Sequence, residues 1–295
     1  MLTMISLFCA AYAQDIRALH LSPDAPAVDI FVDDATPAAI QGLSFTDGTG
    51  YVRLPAGLRN IKVSPGGGAP GDAVLDVDMP LQAGVKISAV AIGALADITA
   101  LALVDDDSSI APGDIRLQVA HAAVGVGDVN ILVSGVGVAA SGVAFGDSFS
   151  ADLPAGARTV GLDTNDDLTP DWTFAVPDLG AGLLVNVFAA TDDAGQPFLL
   201  AWLPDGSTAR VDGVAVAPAQ VRVAHLSPDA PAVDLYVDGD LAGAGLPFQG
   251  LTGYLDLPAG PRRVQVYATG TTTNPVIDAT LPLESGRQYT VGAYG

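Results

Sequence analysis

A thirteen-residue stretch that occurs twice constrains this chain more than any other feature. Residues 20–32 read HLSPDAPAVDIFV and residues 225–237 read HLSPDAPAVDLYV, differing at two positions. An eroded form, HAAVGVGDVNILV, occupies residues 121–133. Three starts about a hundred residues apart predict three successive units of one kind, each long enough for a small domain.

The parity of each motif predicts strands. Ile16, Ala18 and His20 share one parity and Arg17 and Leu19 the other, the pattern of a strand with one face inward. Leu117, Val119 and His121 repeat it in the second unit, and Val221, Val223 and His225 in the third. Each histidine thus points with the aliphatic row. After the SPDAP turn, Val28, Ile30 and Val32 alternate with Asp29, Phe31 and Asp33, a half-buried second strand.

A second mark, LPAG, lies 34, 32 and 32 residues after the histidine of each unit. Proline presets φ and the glycine (Gly57, Gly156 or Gly260) supplies a conformation other residues resist, so LPAG is a tight turn. Each turn launches a strand with arginine at its second position: Arg59, Arg158 and Arg262.

Two long apolar pairs follow, residues 85–92 with 98–104 and residues 183–202. Their length approaches a membrane span, but Lys86 and Asp97 interrupt the first, and the second is broken at 191–195 by hairpin-turn residues. Both read as β-hairpins, with no transmembrane segment. Residues 105–113 and 204–218 read as polar linkers. Each unit then holds roughly seven or eight short strands, which predicts an all-β chain of tandem antiparallel β-sandwiches, immunoglobulin-like or transthyretin-like. The expected boundaries are 1–13 for a signal peptide, 14–108 for repeat 1, 114–205 for a diverged repeat 2, and 219–295 for repeat 3. Repeat 3 lacks the final strand of the other two, which predicts a truncated chain or an open sheet edge.

The N-terminus, MLTMISLFCAAYAQ, is a short apolar run ending in Ala11-Tyr12-Ala13, a small-x-small pattern cut before Gln14. No Lys or Arg precedes the run. Cys9, the only cysteine, lies inside it, so the mature chain would hold no disulfide, and the residues before Cys9 do not match a lipid-attachment site. A secreted or cell-envelope location is expected. The net charge of -21 comes almost wholly from aspartate, since Glu284 is the only glutamate. Such a surface repels phosphate backbones and anionic headgroups, excluding nucleic acid as a partner class. Aspartate also favours turns, in keeping with β structure.

Few residues suggest chemistry. His20, His121 and His225 recur once per unit at one position, and an active site is seldom copied into every module. A strand-end histidine bonded to its neighbouring loop is the expected role. Pro23 and Pro228 stand in the SPDAP turns, whose Asp24 and Asp229 are candidate binding residues together with Arg59, Arg158 and Arg262. Asp163, Asn165, Asp167 and Asp171 place oxygens at alternate positions like the start of a calcium loop, but Leu168 stands where the sharp-turn glycine belongs and no bidentate glutamate follows. Calcium is the only cofactor this sequence suggests. No nucleotide-binding, CxxC or HExxH motif is present.

The strand-turn-strand opening followed by LPAG resembles the bacterial exported family known as domain of unknown function 4397. Residues 224–236 match its Ala-His-x-Ser-Pro-Asp-Ala-Pro signature closely, residues 20–31 nearly as well, and residues 118–134 as a degenerate copy. The resemblance implies an exported β-sandwich module, often in tandem, and brings no catalytic residues. The expected function is a non-enzymatic structural or binding protein, adhesin-like or a spacer, whose partner would be a protein or polysaccharide at the cell surface. A calcium-dependent or carbohydrate-binding module is the alternative, and a hydrolase the third class.

Overall fold

The computed structural model describes residues 13–295; the signal-peptide expectation and Cys9 lie outside them. Repeat 1 consists of β1 (Ala13–Leu21), β2 (Val28–Val32), β3 (Ile40–Leu43), β4 (Val52–Pro55), β5 (Gly57–Pro65), β6 (Leu75–Leu81), β7 (Lys86–Ile92) and β8 (Thr99–Val104). Repeat 2 consists of β9 (Asp114–Ala122), β10 (Val129–Val133), β11 (Gly137–Val143), β12 (Ser148–Pro154), β13 (Arg158–Asp163), β14 (Trp172–Val176), β15 (Leu184–Thr191), β16 (Pro197–Trp202), β17 (Thr208–Asp212) and β18 (Val214–Ala215). Repeat 3 consists of β19 (Ala219–His225), β20 (Val233–Val237), β21 (Asp240–Leu246), β22 (Leu255–Leu257), β23 (Gly260–Ala268), β24 (Ile277–Leu283) and β25 (Gln288–Ala293).

Each repeat makes two sheets. One, which we call the motif sheet, has the orders β4-β1-β7-β8, β12-β9-β15-β16-β17 and β22-β19-β25 in repeats 1, 2 and 3. The other has the orders β3-β2-β5-β6, β11-β10-β13-β14-β18 and β21-β20-β23-β24. The chain is thus tandem β-sandwich in class, and the described strand pairs are antiparallel with one exception per repeat. The motif strand runs parallel to the strand after the long loop: β1 with β7, β9 with β15, β19 with β25. The two apolar stretches are indeed hairpins, β7 with β8 and β15 with β16. The stretch read as the second linker is partly strand: β17 extends the motif sheet of repeat 2 and β18 pairs with β14.

The chain divides into two compact units. The first takes in the described residues up to Val160 together with Phe174–Gly213, and the second takes in Gly161–Thr173 with Val214–Gly295. Repeat 1 and the motif sheet of repeat 2 therefore belong to one unit, and repeat 3 belongs to the other. Within the first, the two repeats share a core. Leu19, Leu21, Val90, Ile92 and Leu103 of repeat 1 pack with Ala120, Ala122, Phe188, Ala190, Phe198, Leu200 and Trp202 of repeat 2. Each fully buried Leu or Phe contributes about 1.5–3 kcal/mol, so this contact is core rather than linker. Every residue of β15 and β16 is buried, which explains why those strands are apolar on both faces.

Repeat 1 also has an inner core between its two sheets, including Ala18, Val28, Leu43 and Val63. The expectation of a strand with one buried face is thereby corrected for β1: Ala18 faces the inner core while Arg17, Leu19 and Leu21 face repeat 2. In the second unit, Val223, Val233, Leu235, Val237, Val264 and Val266 form the core of repeat 3.

Candidate functional site

Two kinds of polar arrangement stand out: turns clasped by the repeated residues, and a buried polar cluster between repeats 1 and 2. The clasped turns hold most of the residues that the sequence nominates. The Nδ1 atom of His20 accepts from the Ser22 amide at 3.3 Å while Nε2 lies 3.1 Å from the Pro26 carbonyl. An amide can only donate and a carbonyl only accept, so the ring is the neutral tautomer with its proton on Nε2. His121 makes the same pair of bonds with Ala123 and Gly127, and His225 with Ser227 and Pro231. An aromatic edge contact accompanies each ring: Phe45, Phe145 and Phe248 respectively. Burial holds the His20 pKa below its ordinary value, against the opposing pull of the Pro26 carbonyl.

Pro23 and Pro228 shape the turns that these rings close. Asp24 accepts the Leu95 amide at 2.7 Å, fastening the SPDAP turn to the loop after β7, whereas exposed Asp229 receives the Ser227 hydroxyl at 3.3 Å. The arginines close the LPAG turns. Arg59 donates to the Pro55 and Ala56 carbonyls and to Asp33; Arg158 donates to the Pro154 carbonyl; Arg262 donates to Pro258, Ala259 and Asp238. The bonds from the Asn60 amide and Arg59 hold the Asp33 carboxyl below its usual range. Gly57, Gly156 and Gly260 adopt φ of 126°, 144° and 115°, which an L side chain resists even though the space around each is open.

The calcium candidates share one loop, and their side chains accept its backbone amides. Asp163 accepts the amides of Asn165 and Leu168, Asn165 and Asp167 accept amides two residues on, and Asp171 accepts from Thr164. Leu168 adopts φ of 61°, so the sharp turn forms without glycine. The Asp167 carboxylate lies 3.6 Å from the Arg262 guanidinium, which also donates to Thr169 at 2.5 Å. Two residues nominated separately thus meet each other, and an arginine already supplies positive charge beside the loop. Among the described residues, no three His, Cys, Asp or Glu side chains are placed to hold a metal ion.

The sequence reading missed the polar cluster. Arg17, with its side chain fully enclosed, donates from Nε to Ser88 at 2.7 Å and from Nη1 to the Leu203 carbonyl at 2.6 Å. Its guanidinium lies over the Trp202 and Tyr51 rings, 3.9 and 4.7 Å from their centroids. Asp105 supplies the countercharge 3.7 Å away and accepts from Ser88, the Tyr51 hydroxyl and Asn186. Burial lowers the Arg17 pKa against the opposing effect of Asp105, and burial followed by the bond to Asp105 raises that of Tyr51. Asp105 opens the acidic run read as the first linker; its carboxylate is instead a buried partner of Arg17.

The contacts across this interface are reciprocal. Aligned on the histidines and on strand register, Arg17 corresponds to Gln118, Ser88 to Asn186, and Val104 to Leu203. Arg17 donates to the Leu203 carbonyl, Gln118 donates to the Val104 carbonyl at 3.2 Å, and Asn186 donates to Ser88 at 2.8 Å. Equivalent residues therefore meet about a pseudo-twofold axis beside Ser88 and Asn186, the form of an isologous dimer built within one chain.

Among solved structures, the Bacillus anthracis TIE protein is similar at 10% identity and TM-score 0.24, with 96% of this chain and 50% of that one covered. BcpA*(D312A), the major pilin subunit of Bacillus cereus, is similar at 9% identity and TM-score 0.22, covering 96% and 99%. This chain thus spans about half the length of the TIE protein. No curated protein matches the sequence. The sequence profile of the family described as Domain of unknown function (DUF4397) matches residues 14–132 and 219–295, and the chain belongs to that family.

Proposed function

We propose that this protein is a secreted or cell-envelope structural module, a spacer or adhesin-like presenter rather than an enzyme. The observation that carries the reading is the use made of the repeated polar residues. The three histidines clasp turns, the three arginines close LPAG turns, and the Arg17–Asp105 pair is enclosed between repeats. Side chains so engaged hold backbone in place, and the shared core makes repeat 1 and the motif sheet of repeat 2 one stiff piece. The exposed partner surface would meet protein or polysaccharide at the cell surface.

Fractionating the source cells tests this. The reading expects the protein in the medium or envelope with an N-terminal peptide that begins at Gln14; recovery in the cytosol with residues 1–13 attached would overturn it. It also needs no cofactor, so excess calcium and excess chelator should give the same melting temperature.

A further inference from the structure

Part of the motif-sheet face that repeats 1 and 2 bury against each other recurs in repeat 3, on the strands β22, β19 and β25; the described residues hold no counterpart there of β8 or β16. In repeat 3, Arg222 aligns with Arg17, Tyr254 with Tyr51, Thr290 with Ser88 and Leu226 with Leu21. The local geometry is kept as well. Arg222 donates to Thr290 at 2.9 Å and lies 4.8 Å from the centroid of the Tyr254 ring, as Arg17 does with Ser88 and Tyr51. The surroundings differ: Leu226 is 50% exposed where Leu21 is 1%, and Tyr254 and Tyr294 are exposed beside it.

We propose that this face of repeat 3 pairs with the same face of a second copy of the chain, giving a twofold dimer that joins equivalent motif strands across an axis as repeats 1 and 2 do within the chain. Three observations select that occupant. The internal pairing joins equivalent faces through reciprocal contacts, so the surface is of a self-complementary kind. The centre of the repeat 3 face carries Arg222, hydroxyls and apolar groups, with the carboxylate of Asp256 at its edge bonded to Gln220, so the aspartates that make up the net charge of -21 are not gathered at its centre. Finally, the face is not shaped for a partner like repeat 2. Gly48 of repeat 1 leaves room for the Trp202 ring, which a Cβ there would strike, and Leu251 stands at the aligned position. In the dimer, Thr290 lies near the axis opposite its own copy, in the place of the Ser88–Asn186 bond.

Sedimentation of the full chain over a range of concentrations tests the proposal. The expected result is a concentration-dependent rise from 29.7 kDa to twice that mass, lost in Leu226→Asp and kept in the control Leu95→Asp, which alters an exposed leucine of repeat 1. As a second measurement, Thr290→Cys in a Cys9→Ala background should be joined into a dimer by a short thiol-reactive bifunctional cross-linker, because the equivalent side chains of repeats 1 and 2 meet within hydrogen-bond reach. A monomer at every concentration, or a dimer that survives Leu226→Asp without a Thr290→Cys cross-link, would overturn it.

Discussion

Repeats 1 and 3 carry nearly the same opening motif, yet their motif sheets have different fates. In repeat 1 the outer row Arg17, Leu19 and Leu21 is sealed under repeat 2; in repeat 3 the aligned row Arg222, Ala224 and Leu226 remains accessible. The contrast separates what the motif does from what its context does. The histidine clasp and the LPAG turn are built alike in both repeats and need only the repeat itself. The shared core and the enclosed ion pair need a neighbour, and they are what convert two sandwiches into one body. Family membership therefore accounts for the turns, while the outward row of each motif strand decides what the repeat joins.

The largest expected effect breaks the buried pair. Asp105→Ala leaves Arg17 enclosed without a countercharge, and such a loss costs about 3–5 kcal/mol, measurable by denaturant unfolding. Replacing both together, Arg17→Met with Asp105→Leu, should recover most of that loss, since a well-packed apolar pair is often as stable as a buried ion pair. A single-variant cost below about 0.5 kcal/mol, the range of ordinary surface substitutions, would show that the pair is not enclosed.

An aligned pair of leucines sharpens the comparison directly. Leu21→Ala should cost about 2–5 kcal/mol as a core truncation. Leu226→Ala, half-exposed in the single chain, should stay within about 0.5 kcal/mol when unfolding is measured at concentrations where the chain is monomeric. Equal costs at the two sites would erase the distinction between the repeats.

The smallest of these effects is pH-dependent. Folding lowers the His20 pKa from its ordinary 6.5, so the unfolded chain takes up the proton first as pH falls. The stability tied to neutral His20 is therefore fully present above pH 6.5 and is progressively lost as pH falls below it toward the folded-state pKa. Protonation also ends the acceptor role of Nδ1 toward Ser22. His20→Gln should flatten the slope of stability against pH in that window, which urea titrations at pH 7.5, 6.5 and 5.5 would reveal; an unchanged slope would contradict it.

Much of the fold is legible in the sequence because repetition reports it three times. Alternation at Val28, Ile30 and Val32, the LPAG turns and the broken apolar runs mark strands and turns that the structure contains. The pairing of repeats was harder to read. Alternation in residues 16–20 tests for one buried face, and Arg17 in the outer row suggests solvent. The signal lay instead in Leu19, Leu21 and the apolar residues at both parities of β15 and β16, since strands apolar at both parities are covered on both sides. Asp105 was illegible as a buried residue because it begins a run of three aspartates, two of which are exposed. The meeting of Arg262 with the 163–171 loop likewise depends on a contact nearly a hundred residues apart along the chain, which local spacing does not encode.

The claim that repeat 1 and the motif sheet of repeat 2 are a single body is tested most directly by reading the unfolding of one after damaging the other. Trp202 lies in repeat 2 and is fully buried, so in a Trp172→Phe background its fluorescence reports the shared core. Leu19→Asp places a charge in repeat 1, on the far side of that core. If the two are one body, the thermal midpoint seen by Trp202 falls by many degrees in the Leu19→Asp variant; a midpoint unmoved by that substitution would mean that repeat 1 and that sheet fold independently.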